Sequence, residues 1–170
     1  MDKKYLKRRT EGIRGFMRRY FDTKRYVEDY KSLGRDVDEI ERRFKRDRKI
    51  VRYVTVPLSA AVATASYLTP PSWEWSKKLG HVSKGYCLSE TGQIAAERAS
   101  AKGFKKYGTG LGAAGAGGLA WEGAQEANLV GGSFNAEDIA LDMAGGAAAG
   151  LVERLFDKKI ASLYKEDLSE

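Results

Sequence analysis

Cysteine and histidine each occur once in this chain of 170 residues, as Cys87 and His81. A single cysteine excludes an intrachain disulfide, and one Cys with one His excludes the repeated spacing of a zinc-binding motif. Proline is nearly as scarce, with three residues, two of them adjacent at Pro70–Pro71, so long stretches carry no helix breaker. Met1–Arg19 is charged throughout and lacks the apolar centre of a secretory signal. The glycine-rich stretch GTGLGAAGAGGLAW lacks a preceding strand, the Lys-Ser/Thr ending of a phosphate loop, and an acidic residue at the dinucleotide distance. Neither common nucleotide-binding loop is therefore present, and the sequence asks for no cofactor and contains no evident metal centre.

Charge is present but unevenly placed. Residues 1–53 hold 19 Lys/Arg against 10 Asp/Glu, whereas residues 54–170 hold 11 against 13. The whole basic excess lies in the first third, which points to an anionic partner, either nucleic acid or a membrane face. In residues 2–21, Ile13, Phe16, Met17, Tyr20 and Phe21 follow the spacing of one helical stripe. A second run, Tyr30, Leu33, Val37, Ile40 and Phe44, is spaced 3, 4, 3, 4, the rhythm of a helix lying along another helix. Gly34 breaks it, and Asp36 with Glu39 has the form of a capping box. The cations expected to meet the anionic partner are Arg8, Arg9, Arg14, Arg18, Arg19, Arg42, Arg43, Lys45, Arg46, Arg48 and Lys49.

From Ile50 to Leu68 only Arg52 is charged. That length approaches the ~20 apolar residues of a bilayer span, with Arg52 able to snorkel and the basic flank placing the N-terminus in the cytoplasm. Its Ala, Ser, Thr and Pro57 equally suit a helix buried in protein. Pro70–Pro71 end the helix, and Trp73 and Trp75 follow it. Further on, Gly108, Gly112, Ala116 and Ala120 repeat every four residues, and Gly110, Ala114 and Gly118 repeat on a second face. Gly146 and Gly150 show the same spacing. Glycine inside a water-exposed helix costs ~1 kcal/mol against alanine, so such rows predict close contact between helices. Asn135 reads as an N-cap with Asp138 at the third helical position. The expected result is an antiparallel hairpin of residues 108–127 and 136–156.

The sequence thus predicts an all-α protein. Its parts are a basic helical arm over 1–49, an apolar helix over 50–69 as a candidate membrane anchor, a Gly/Ala-rich helical module over 72–156, and a polar tail over 157–170 that begins as helix and then frays. Few polar residues interrupt the third part. Glu122 and Gln125 share one helix face, Asp138 and Asp142 share another, and His81 precedes them. The hairpin brings the two faces together near its turn, which makes His81, Glu122, Gln125, Asp138 and Asp142 the candidate polar site. Ionisable groups among small apolar residues are costly unless paired.

The segments WSKKLGH (Trp75–His81), WEGAQ (Trp121–Gln125) and GGSFNAEDIALDMAGGAAAG (Gly131–Gly150) resemble VanZ-like proteins and the YfiM-like envelope proteins. The matching features are Lys78/His81, Glu122/Gln125, Asp138/Asp142 and Gly146/Gly150, over residues 75–152. The resemblance implies a small helical membrane or envelope module without a settled chemistry. Val82–Ala101 departs from it, since Lys84, Glu90, Glu97 and Arg98 suit a bilayer span poorly.

Three functions follow. The first is a non-enzymatic membrane-associated or assembly component, oligomeric and partnered by other proteins, that packs through Gly108, Gly112, Ala116, Gly118, Gly146 and Gly150. The second is a phage or virion structural protein whose arm contacts nucleic acid, with Tyr5, Phe16, Tyr20, Phe21, Tyr26, Tyr30 and Phe44 available for stacking. The third is a small metal-assisted hydrolase using His81, Glu122 and Asp138.

Overall fold

The computed structural model describes residues 12–70 and 72–167. Six helices account for the described fold: α1 (Gly12–Phe21), α2 (Thr23–Lys31), α3 (Val37–Tyr67), α4 (Glu74–Arg98), α5 (Phe104–Glu126) and α6 (Ala136–Asp167). No strand occurs among the described residues, so the all-α reading holds. The chain divides into two compact units, Met1–Ile50 with Arg154–Glu170, and Val51–Glu153.

The first unit is built from bulky side chains. Tyr26, Val27, Tyr30, Val37, Ile40, Phe44 and Leu163 form one buried cluster, with Tyr20 and Ile160 packed against it. Each such side chain contributes ~1.5–3 kcal/mol when fully buried. The 3, 4, 3, 4 run therefore marks this core. Its helix is interrupted where Gly34 takes φ +75°, and it restarts with the Glu39 amide donating to Asp36 Oδ1 at 2.7 Å. The tail, expected to be polar and helical, continues α6 to Asp167. Leu163 enters the core, and Lys159 Nζ donates to Thr23 Oγ1 at 2.9 Å.

The second unit reverses this chemistry. Among the described residues its buried hydrophobic side chains are those of Ala63, Ala96, Ala114 and Ala149, while its largest fully buried side chains are Gln93, Glu90, Glu122, Glu153, Asp142 and Ser89. Large apolar side chains such as Tyr53, Leu58, Leu119 and Leu151 stand exposed. Glycine makes the interior possible. A Cβ at Gly85 would run into the Asp142 carbonyl, and one at Gly145 into the Val82 carbonyl, so α4 and α6 touch backbone to backbone.

Neighbouring contacts fix the directions of the helices. His81 meets Asp138, and Ser89 Oγ donates to the Gly146 carbonyl at 3.0 Å, with the same residue offset, so α4 and α6 run parallel. A Cβ at Gly118 would meet Asp142 and one at Gly146 would meet Ala114, so α5 and α6 run antiparallel, as the hairpin required. Arg52 of α3 reaches Glu97 and Gly80 faces Ser66, which sets α3 antiparallel to α4. The helices of this unit therefore alternate in direction along the chain.

The expected small-residue rows separate here. Gly110, Ala114 and Gly118 are buried, whereas Gly108, Gly112 and Ala116 are exposed. A Cβ at Gly108, Gly112 or Gly150 would meet nothing within 4 Å. Gly85→Ala is expected to lower stability by ~1–3 kcal/mol through overpacking. Gly112→Ala, in open space, is expected to raise it by up to ~1 kcal/mol. Thermal unfolding of the two variants beside the wild type checks both signs.

Candidate functional site

The start of α4, the end of α5 and the start of α6 meet at one end of the second unit, because α4 and α6 run parallel and α5 returns between them. They bring together His81 and Lys84 from α4, Trp121 and Glu122 from α5, and Asp138 and Asp142 from α6. His81 Nε2 lies 3.5 Å from Asp138 Oδ2, and His81 Nδ1 lies 3.4 Å from Asp142 Oδ1. Lys84 Nζ sits 2.9 Å from Asp142 Oδ2, 3.3 Å from His81 Nδ1 and 5.5 Å from the centre of the Trp121 ring. Glu122 and Asp142 are 0% exposed and His81 is 6% exposed.

Glu122 is held from one side only. The Asn135 amide donates to its Oε2 at 2.7 Å, while Oε1 has no hydrogen-bond partner among the described residues. Neither Asp142 oxygen has an aligned donor, although Lys84 is in ion-pair range. Set against Lys84, the three carboxylates Glu122, Asp138 and Asp142 leave two negative charges in excess when His81 is neutral. The hydroxyl of nearby Tyr67 has its pKa raised, first by burial and then by the charges of Asp142, Glu122 and Asp138. The Tyr67 ring packs on Trp121 with centroids 5.3 Å apart.

A cavity of about 510 Å³ opens onto the cluster, with Tyr67, Lys78, His81, Trp121, Gln125 and Asp138 in its wall. Lys78 Nζ donates to Glu137 Oε1 at 2.7 Å on its exposed side. Asn135 caps α6 as expected, its Oδ1 accepting from the Glu137 amide at 3.0 Å.

Four of the five residues expected at this site converge. Gln125 lines the same cavity outside the carboxylate cluster, and its Nε2 donates to the Gly131 carbonyl at 3.2 Å beneath Gly132. Among the expected anion-binding cations, Arg8 and Arg9 lie outside the described residues, as does the Arg14 side chain. Arg18 pairs with Asp29, Arg19 with Asp47 in a buried contact, Arg43 with Glu39, and Arg48 with Asp157. Arg42, Lys45, Arg46 and Lys49 are exposed on α3, with Lys45 2.6 Å from Glu41 and Arg42 4.0 Å from Asp36.

Sequence reasoning missed a second polar layer. Arg52 does not snorkel outward. Its guanidinium lies 3.1 Å from Glu90, 2.6 Å from Glu97 and 2.8 Å from Glu153. Lys106 Nζ is 3.4 Å from both Glu97 and Glu153. The available signal was Glu90 among small neutral residues; Lys106 and Glu153 sit beside Lys105 and Arg154 and carried none. Three carboxylates face two cations here, and the surplus falls on Glu90. Burial, followed by the charge of Glu153, pushes its carboxyl up to about 7 from the ordinary 4.5.

Comparison with protein-family models, curated proteins and solved structures finds no match to this chain.

A carboxyl that holds its proton more tightly when folded contributes stability that is complete below about pH 4.5 and lost as the pH rises to about 7. The loss is on the order of 3 kcal/mol for a shift of this size. Glu90→Gln is therefore expected to flatten the pH dependence of unfolding between these limits. It should also exceed the wild type in stability at pH 8, as read by urea titration across pH.

Proposed function

We propose that the chain is a non-enzymatic assembly component: residues 51–153 pack against further copies of themselves, and the basic face of α3 holds an anionic partner. The polarity of the second unit carries this reading. Charges fill its interior, and its outward faces are uncharged for several turns. No charged residue occurs from Tyr53 to Tyr67 on α3 or from Tyr107 to Trp121 on α5, and Asp142, which is buried, is the lone one from Ile139 to Val152 on α6. Exposed apolar surface of this extent is characteristic of interaction sites.

Protein is favoured over lipid as the covering material by two features. No helix of the described residues is long and apolar enough to cross a membrane. In the outer row that Ala116 and Ala120 extend, Gly108 and Gly112 also cost helix stability without an internal contact. A flat row of small residues returns that cost when a second helix lies close along it, and two identical rows suit a two-fold contact. The resemblance of residues 75–152 to VanZ-like and YfiM-like modules supports a role within a larger envelope or particle. For the anionic partner, Arg42, Lys45, Arg46 and Lys49 share one exposed helix face, and Arg46 and Lys49 have no ion pair among the described residues.

Size measurement by light scattering tests the assembly. The purified full chain is expected to form an oligomer without detergent. Gly112→Leu, which meets open space in the single chain, is expected to lower the mass while helicity by circular dichroism is kept. A monomer at micromolar concentration, or an oligomer indifferent to Gly112→Leu, overturns the proposal, as does a chain that stays in solution only with detergent. For the basic face, Arg46→Glu/Lys49→Glu is expected to weaken retention on heparin, and retention of the wild type should fall as salt rises.

A further inference from the structure

We infer that His81, Glu122 and Asp138 form a binding site for one divalent transition-metal ion of the zinc or manganese class, with Asp142 orienting the histidine. This stands apart from the assembly reading and rests on different residues. One nitrogen and two carboxylate oxygens, one from each side chain, lie within 4.8 Å of one another. Donors bound at ~2.1 Å to a common ion lie between ~3 and ~4.2 Å apart, so the set closes on an ion with shifts of about half an ångström.

Charge and hydrogen bonding point the same way. Glu122 is fully buried, and its Oε1 lacks any partner among the described residues. A buried carboxylate oxygen left so is costly, and a metal ion is the group that would offset it here. The cluster's excess of two negative charges equals the charge of a divalent cation. Asp142 Oδ1 lies 3.4 Å from His81 Nδ1, on the side of the ring away from Asp138. Lys84 Nζ, 3.3 Å from Nδ1, is a donor only, so Nδ1 accepts as the groups stand. An ion taken by Nε2 beside Asp138 would move the ring proton to Nδ1, turned towards Asp142 with Lys84 left on Asp142 alone, which is the carboxylate–histidine–metal arrangement. Lys84, 2.9 Å from Asp142, neutralises that carboxylate and keeps Asp142 from competing as a further ligand.

The donor set selects among ions. Imidazole suits zinc and other transition metals, whereas magnesium and calcium take oxygen donors. Three protein donors leave coordination positions free, and the 510 Å³ cavity gives water or a small anion access to them.

Calorimetric titration of the full chain, stripped with a chelator, tests this with zinc, manganese and magnesium chlorides in turn. Zinc or manganese is expected to bind at one ion per chain and to raise the melting temperature, with magnesium at least tenfold weaker. His81→Ala and Glu122→Gln should each abolish binding, and Asp142→Asn should weaken it by about 10–100-fold. Asp138→Asn, at a side chain 23% exposed, serves as the variant least prone to misfold, and it too should lose affinity. Undiminished zinc binding in His81→Ala or in Asp138→Asn overturns the inference, as does the absence of binding by both zinc and manganese to the folded wild type.

Discussion

A carboxylate withdrawn from water must meet a cation or a donor, and residues 51–153 withdraw four of them, Glu90, Glu122, Asp142 and Glu153, each at 1% exposure or less. Much else in this unit can be derived from that requirement. The charges are gathered into two layers, one around Arg52 and one around His81, and each layer draws on at least three helices. Side chains must cross between helices to make such layers, so the backbones have to lie close. Glycine at 85 and 145 and alanine at 63, 96, 114 and 149 meet that need. Ion pairs taken out of water seldom add net stability, because desolvation offsets attraction. What they supply is register, since a one-residue slip leaves a charge facing alanine.

The first unit works by the opposite means. Tyr26, Tyr30, Ile40, Phe44 and Leu163 bury area, and its inward ion pair, Arg19 with Asp47, is set among Tyr20 and Tyr26. Arg18, Arg19, Arg43 and Arg48 are engaged by acidic neighbours within the unit, while Arg42, Lys45, Arg46 and Lys49 on α3 and Lys24 and Arg25 on α2 are exposed among the described residues.

Periodicity made the helices legible, and so did the caps: Asp36, Asn135 and Gly34 all act as their chemistry suggested. The polar cluster was legible too, because Glu122, Asp138, Asp142 and His81 are conspicuous among small residues and helical spacing assigns them faces. The orientation of the glycine rows was not. Two rows on α5 look alike in sequence, and only the positions of α4 and α6 decide that Gly110–Ala114–Gly118 turns inward while Gly108–Gly112–Ala116 turns out. Arg52 misled for a related reason. One charge at the edge of an apolar run looks like an interfacial residue, and its three acidic partners lie 38 to 101 residues further along the chain. Long-range pairing of that kind leaves no local pattern. The helical tail was legible, but the burial of Leu163 with Ile160 beside it was not, because it depends on a core assembled from the far end of the chain.

The parallel pairing of α4 with α6 has a bearing on how such a chain can diverge. His81 with Asp138 and Ser89 with Gly146 are separated by one and the same number of residues. An insertion or deletion inside α4 or α6 would therefore rotate every later partner by about 100° and unmatch both polar layers together. The connectors are under no such restraint, so changes of length in related sequences should collect between Ala99 and Gly103 and between Ala127 and Ser133, leaving the helices themselves free of gaps.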